Sequence, residues 1–397
     1  MPDKTFLARA PVLAPGHEQS LAARPPLART PVLVLGAGLM GRLLAVTLTQ
    51  AGHPVRILDA GPPDGSGAAA WVAAAMLAPL AESAITELNV VAMGQYALGR
   101  WPSLIAGLRR PVFFQQNGTL ILWHRQDAPE ARRFGGLLAA TGQAMPELPQ
   151  PLTLDGEGIA GLEPALARRF HEGLYLPGEA QLDNRQLLGA LTETLGDLGV
   201  AIEWHAALSL EQALDLQDRQ GGWVLDCRGL GSQGEWRAPG QTLRGVRGEV
   251  ARVQAPDVTL HRPTRLLHPR YPLYIAPKED HVFVIGATEI ETDDLSPASV
   301  RSTLELLSAA YAVHPGFGEG RILELATRCR PTLPDNLPAV WEVRPGVLQI
   351  NGLYRHGFMI APALLDAVLE WMHAGQTTLA ARLRLSFHTA ATAAVTG

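Results

Sequence analysis

The feature that most constrains this chain is the stretch PVLVLGAGLMGRLLAVTLTQAGHPVRILDAG, residues 31–61. Residues 32–35 are a short apolar run of the kind that forms a parallel strand buried on both faces. Gly36, Gly38 and Gly41 follow at once in G-x-G-x-x-G spacing. In that spacing the first glycine allows a tight turn, the second lets the backbone approach a pyrophosphate, and the third lets a helix pack on the strand. Leu43, Leu44, Val46 and Leu48 then suit a helix that Gly52 would stop. Residues 55–58 read as a second strand, closed by Asp59 and Ala60. The free N–H groups at Leu39 and Met40 and the positive end of the helix dipole suit phosphate oxygens. Asp59 stands eighteen residues past Gly41, where an acid accepts hydrogen bonds from an adenosine ribose. The plainer reading of Asp59 is a surface acid after a strand. A free ribose acid disfavours a 2′-phosphate, so the pattern predicts NAD or FAD over NADP and does not choose between those two.

At 397 residues the chain exceeds what one hydrophobic core normally serves, so two domains are expected. The net charge of −5, with no basic block, argues against nucleic acid as a partner. Cys227 and Cys329 are far apart and fit no metal spacing, so no metal is expected and a reducing, cytoplasmic location is. No apolar run reaches the roughly 20 residues needed to span a bilayer. Residues 1–30 have no continuous apolar segment of signal-peptide type and read as an unstructured lead-in.

Further along, residues 67–80 (GAAAWVAAAMLAPL) are small and apolar, either a buried helix or a backbone-lined ligand slot. Helices are predicted over 86–109, 184–195, 299–313 and 358–373. Strands are predicted over 118–123, 223–227 (closed by Gly229 and Gly231), 248–253, 273–277, 282–287 and 346–350. A βαβ start, a strand-rich block and a glycine-rich loop before the last helix predict a mixed α/β fold. In it a discontinuous Rossmann-type FAD/NAD(P)-binding domain carries an inserted antiparallel-sheet domain.

Several segments resemble the D-amino-acid oxidase superfamily, and most of all its glycine oxidase branch. They are AAWVAAAMLAPL (69–80), NGTLILWHRQD (117–127), LEPALARRF (162–170), LPGEAQLDNRQLL (176–188), DCRGLG (226–231), RGEVARV (247–253), YPLYIAPKEDHVFVIGATEIE (271–291), RPTLPDNLP (330–338) and NGLYRHGFMIAP (351–362). The resemblance implies noncovalent FAD and hydride transfer from a substrate Cα to the flavin. It also implies reoxidation by O2 to H2O2, and an imine that is hydrolysed or passed to thiazole assembly in thiamine biosynthesis. It implies a cofactor domain over 31–110, 160–242 and 322–397, a substrate domain over 111–159 and 243–321, and a homo-oligomer.

Residue roles follow from the same resemblance. Arg330 matches the family's carboxylate-binding arginine, whose planar fork pairs with both carboxylate oxygens; the plainer reading is a surface arginine beside Pro331. Tyr274 matches the substrate-side tyrosine, or is a cross-strand core residue. Ala73, Ala74 and Ala75, with Met76, would line the flavin ring, and relatives often have glycine at position 75. In the loop Gly352, Leu353, Tyr354, Arg355, His356, Gly357, Phe358, Arg355 matches the family's arginine and the helix N-terminus would stabilise charge on reduced flavin. His356 replaces the usual asparagine and either carries charge or packs, packing being favoured.

Two departures bear on the substrate. Pro272 stands where some relatives have histidine, and Glu289 where relatives usually have an apolar residue. Glu289 either turns to solvent or enters the site, repelling a carboxylate or holding an ammonium group. Cys329 sits near the place of a flavin-linking cysteine in sarcosine oxidases, one residue out of spacing, and reads as a small core residue. No general base is expected, since a neutral amine leaves hydride transfer to positioning alone. Beside the oxidase stand a dehydrogenase passing electrons to a quinone or carrier, a sarcosine or D-amino-acid oxidase, and a catalytically silent FAD-binding protein.

Overall fold

Why the first glycines are obligatory is plain in the computed structural model, which describes residues 29–268 and 273–389. Gly36 has φ +90°, and a Cβ on Gly41 would lie 1.8 Å from the Gly36 carbonyl oxygen. Strand Val32–Leu35 can therefore turn directly into helix Leu39–Gln50, which buries Leu43, Leu44 and Leu48. Strand Val55–Leu58 pairs parallel with the first, completing the βαβ unit. Gly52, at φ +91°, follows the helix end as expected. Residues 1–28, nearly all of the expected lead-in, and Pro272 lie outside the described residues.

Three sheets organise the chain. In the seven-strand sheet, Ile202–Glu203, Val55–Leu58, Val32–Leu35, Trp223–Asp226 and Val347–Asn351 run parallel side by side. The hairpin partner Ala339–Arg344 and then Ser386–His388 close one edge. Residues 223–226 and 347–351 are buried throughout, as a sheet covered on both faces requires. Helices Leu39–Gln50, Leu88–Ala106, Asn184–Asp197 and Gly357–Ala374 share the main core with this sheet.

The eight-strand sheet is mostly antiparallel. Arg321–Thr332 pairs with the long strand Arg244–Gln254, followed by Val282–Gly286, Leu273–Pro277, Thr264–Leu266, Thr119–Leu122, Glu172–Leu176 and Leu152–Asp155. Two of its strands, Glu172–Leu176 and Arg321–Thr332, come from segments expected on the cofactor side. Its core meets helix Val300–Val313. A small sheet of Met76–Leu77, Ala180–Leu182 and Phe114–Gln115 lies at the 67–80 segment. Among the described residues no helix is long and apolar enough to cross a membrane.

Candidate active site

One cavity of about 1260 Å³ collects the sequence-derived residues from both large sheets. Where the βαβ unit meets it, Gly36, Gly38, Leu39, Met40, Asp59 and Ala60 line its wall. Gly38 is the helix N-cap and offers no side chain to the free N–H groups of the first turn. A Cβ on Gly38 would meet only the Ala68 Cβ, at 4.0 Å, so that side of the glycine is open space. Asp59 is not a loose surface acid: Ala37 N–H donates to its Oδ2 and Gly61 N–H to its Oδ1, both at 2.6 Å. Each oxygen keeps a lone pair for a further donor. The volume, the open N-terminal N–H groups and the anchored acid together fit FAD.

The 67–80 segment is not one buried helix: a single 3-10 turn at Ala69–Trp71 and the short strand Met76–Leu77 precede helix Pro79–Glu82, and the stretch between lines the cavity. Ala73, Ala74, Ala75 and Met76 line the cavity. Their chain is fastened from outside. Asn184 Nδ2 donates to the Ala70 and Trp71 carbonyls at 2.9 and 2.7 Å. Lys278 Nζ donates to Ala74 O at 2.9 Å, and Leu182 N–H to Ala75 O at 3.1 Å. Ala75 has φ +52°, the left-handed region that glycine adopts freely. Gly229 and Gly231 form another part of the wall.

Arg330, Tyr274, Tyr354, Arg355, His356 and Glu289 line the same cavity. Arg330 is not a surface residue: its Nη1 donates to Arg247 O at 3.3 Å and its Nη2 to Thr288 O at 3.2 Å. Among the described residues it has no acidic partner. Burial lowers its pKa, and the Arg355 charge adds to that. Tyr274 rises from strand Leu273–Pro277 with its hydroxyl over Gly286, and burial raises its pKa so that it remains a donor. Arg355 forms an ion pair through Nε with Glu82 Oε2 at 3.2 Å and donates from Nη1 to Glu289 Oε2 at 2.8 Å. Glu289 is thus turned to the cavity, with its side chain 46% exposed, and is held by an arginine.

Gly357 and Phe358 open the last long helix on the cavity wall. Gly41 and Gly352 are set back from it. Gly352, at φ +75°, would bring a Cβ within 2.8 Å of Leu333 and the Leu337 carbonyl, so its part is the loop's path. His356 is buried beneath the loop, with Nε2 at 3.0 Å from Glu82 Oε2. Burial lowers its pKa below 6.5, so it is neutral at pH 7 and packs. Cys329 is buried with its Sγ 3.5 Å from Asp294 O, and burial raises its pKa, which keeps the thiol protonated.

Sequence reasoning missed three residues here. Glu82 is buried in the wall, and Arg265, Arg355 and His356 all converge on its carboxylate. Burial would raise its pKa, but Arg355 and Arg265 outweigh that and hold it well below the usual carboxylate range. Arg265 comes from strand Thr264–Leu266. Gly248 lies against Arg330, and a glycine inside a strand pattern was the available signal for it.

A family model described as FAD dependent oxidoreductase (DAO) matches residues 31–371. The chain is 40% identical over 337 residues to a putative thiamine biosynthesis oxidoreductase ThiO of Rhizobium etli, covering 85% of this chain and 94% of that one. Among solved structures, glycine oxidase from Geobacillus kaustophilus is similar with a TM-score of 0.73 at 22% identity, covering 88% of this chain and 96% of its own. Iminodiacetate oxidase from Chelativorans sp. is similar with a TM-score of 0.72 at 21% identity, over 90% and 99%. These structural likenesses concern the fold.

Proposed function

The chain belongs to the family of FAD-dependent oxidoreductases, and on that premise we propose that it oxidises a small amino acid, glycine or a close analogue. The observation that carries this reading is Arg330, a partly buried guanidinium on the cavity wall that bonds, among the described residues, only to two carbonyls. A partly desolvated cation without a counter-charge is costly, and a substrate carboxylate supplies that charge in the planar geometry the fork prefers. Tyr274 donates a further hydrogen bond to the same carboxylate.

Gly36, Gly38, Leu39 and Met40 would hold the pyrophosphate and Asp59 the ribose, with Ala60 beside it. The 73–76 slot, Gly229, Gly231 and the loop from Gly352 to Phe358 would surround the flavin. FAD bound there supplies a two-electron acceptor for the hydride on the substrate Cα. The unit built on the seven-strand sheet would hold the cofactor, and the eight-strand sheet the substrate carboxylate. No side chain is assigned as a base: with the amine neutral, orientation by Arg330 and Tyr274 is the protein's contribution. Overall, two electrons and two protons pass from the substrate C–N unit to O2, giving H2O2 and an imine. The imine is hydrolysed or enters thiamine biosynthesis, the process in the name of the Rhizobium etli relative. Admitting air to substrate-reduced protein should restore the oxidised flavin spectrum with one H2O2 per flavin. Reduced protein that persists in air would replace O2 with a carrier as electron acceptor.

A further inference from the structure

Arg355 is bracketed by two acids. From behind, the buried Glu82 forms an ion pair with its Nε and another with Arg265. From the cavity side Glu289 accepts from its Nη1 at 2.8 Å. His356 and the two tyrosines are uncharged at neutral pH, His356 by burial lowering its pKa, Tyr274 and Tyr354 by burial raising theirs. Three guanidiniums, of Arg265, Arg330 and Arg355, therefore face two carboxylates. The single surplus positive charge sits on Arg330, the one of the three that bonds only to carbonyls.

Glu289 is not a mobile acid that happens to fall near Arg355. Thr288 Oγ1 accepts from Glu249 N–H at 2.9 Å on one side of it. On the other, Arg247 and Ile290 exchange two backbone hydrogen bonds of 2.8 and 3.0 Å. The backbone under Glu289 is thereby fixed to the long strand Arg244–Gln254.

We propose that Glu289 determines specificity, neutralising Arg355 so that the cavity takes substrates with one carboxylate and rejects those with two. This rests on Arg330 anchoring a substrate carboxylate. A second carboxylate would find Arg355 already paired and would face Glu289 itself, a like charge at the same place. Replacing the carboxylate by its neutral isostere releases Arg355 as a second anion site without removing the cation.

The test uses FAD-loaded protein and two readouts. Acetate and malonate, as one- and two-carboxylate probes, are titrated against the flavin absorbance. Turnover of glycine is compared with that of iminodiacetate. In Glu289→Gln, malonate binding relative to acetate should rise about tenfold or more, and iminodiacetate turnover relative to glycine should rise with it. Glu289→Asp, which keeps the charge, should retain most of the rejection. Glu291→Gln removes the same charge from a residue that pairs with Arg244, and should leave both ratios at the wild-type value. Unchanged ratios in Glu289→Gln, or an equal shift in Glu291→Gln, would overturn the assignment. Wild-type protein that turns over no amino acid while its carboxylate titrations follow this pattern would defeat the oxidase reading and leave Glu289 standing. A wild-type flavin spectrum that answers neither probe would overturn both.

Discussion

Gly248 and Arg330 are in such close approach that a Cβ on the glycine would lie 2.5 Å from Arg330 Nη2 and 2.7 Å from its Cζ. The missing side chain is the space in which the guanidinium lies, with Arg247 O and Thr288 O holding its two terminal nitrogens. Because the obstructed atoms are the end of a flexible side chain, Gly248→Ala should fold and displace Arg330. A displacement of about 1 Å costs up to roughly 100-fold when orientation is the catalytic contribution, so amino-acid kcat/KM should fall by about tenfold to 100-fold. FAD content should match wild type. Unaltered kinetics would show that the position of Arg330 does not matter.

Removing the guanidinium goes further. Arg330→Ala deletes one half of a desolvated, charge-assisted pair, typically worth about 2–5 kcal/mol, so kcat/KM should drop roughly 30-fold to several thousand-fold. Arg330→Lys should recover little, since an ammonium lacks the planar fork. Amines without a carboxylate should be poor substrates of the wild type and nearly indifferent to the change. Equal damage to both substrate kinds would mean that Arg330 supports the fold, leaving Arg355 as the candidate anchor.

The open space at Gly38 makes a clean cofactor test. A Cβ there touches only Ala68, at 4.0 Å, so Gly38→Val should fold while filling the pyrophosphate position. The purified variant should be colourless, with the melting temperature of wild-type apoprotein. In the wild type, acid should release all the flavin, because the Cys329 thiol is buried and protonated. A fully yellow variant would mean that the phosphates lie elsewhere, and flavin retained on the denatured wild-type chain would point to Cys329.

Glu179 gives a stability prediction with a definite sign. It is buried, Ala81 N–H donates to its Oε1 at 2.7 Å, and burial pushes its pKa up to about 7 from 4.5. A raised folded-state pKa means that the native protein holds this proton more tightly than the unfolded chain. The stabilisation is fully present below pH 4.5 and is lost as pH rises through about 7. Relative to Glu179→Gln, wild-type protein should lose on the order of 3 kcal/mol of unfolding free energy between pH 4.5 and 8, measured by denaturant titration. A constant difference between the two proteins would contradict the raised pKa.

The cofactor end was legible in sequence because its chemistry is local. The turn at Gly36, the packing at Gly41 and the acid at Asp59 all fall within one βαβ unit, and each needs a particular residue type. Helix Ala128–Ala144 was overlooked although its buried residues Ala131, Phe134, Leu138 and Thr141 follow helical spacing. Glu82 and Arg265 carried no comparable signal. They meet only because Thr264–Leu266 pairs with Thr119–Leu122 and places Arg265 against a residue 183 positions away. Glu289 was recognised as a departure, but its direction depended on the backbone pairing of residues 247 and 290. The slot at 67–80 was ambiguous because small apolar residues suit a helix as well as a wall. The fastenings that decide it, Asn184 and Lys278, lie more than a hundred residues downstream.

Anaerobic addition of substrate to the purified protein decides whether this site oxidises a small amino acid on bound FAD. Glycine, sarcosine, D-alanine and D-proline are added in turn while the flavin absorbance is followed. Glycine or a close analogue should bleach the flavin fully, and Arg330→Ala should slow the bleaching without lowering the flavin content. A fully loaded yellow protein that none of the four bleaches would contradict the oxidase reading.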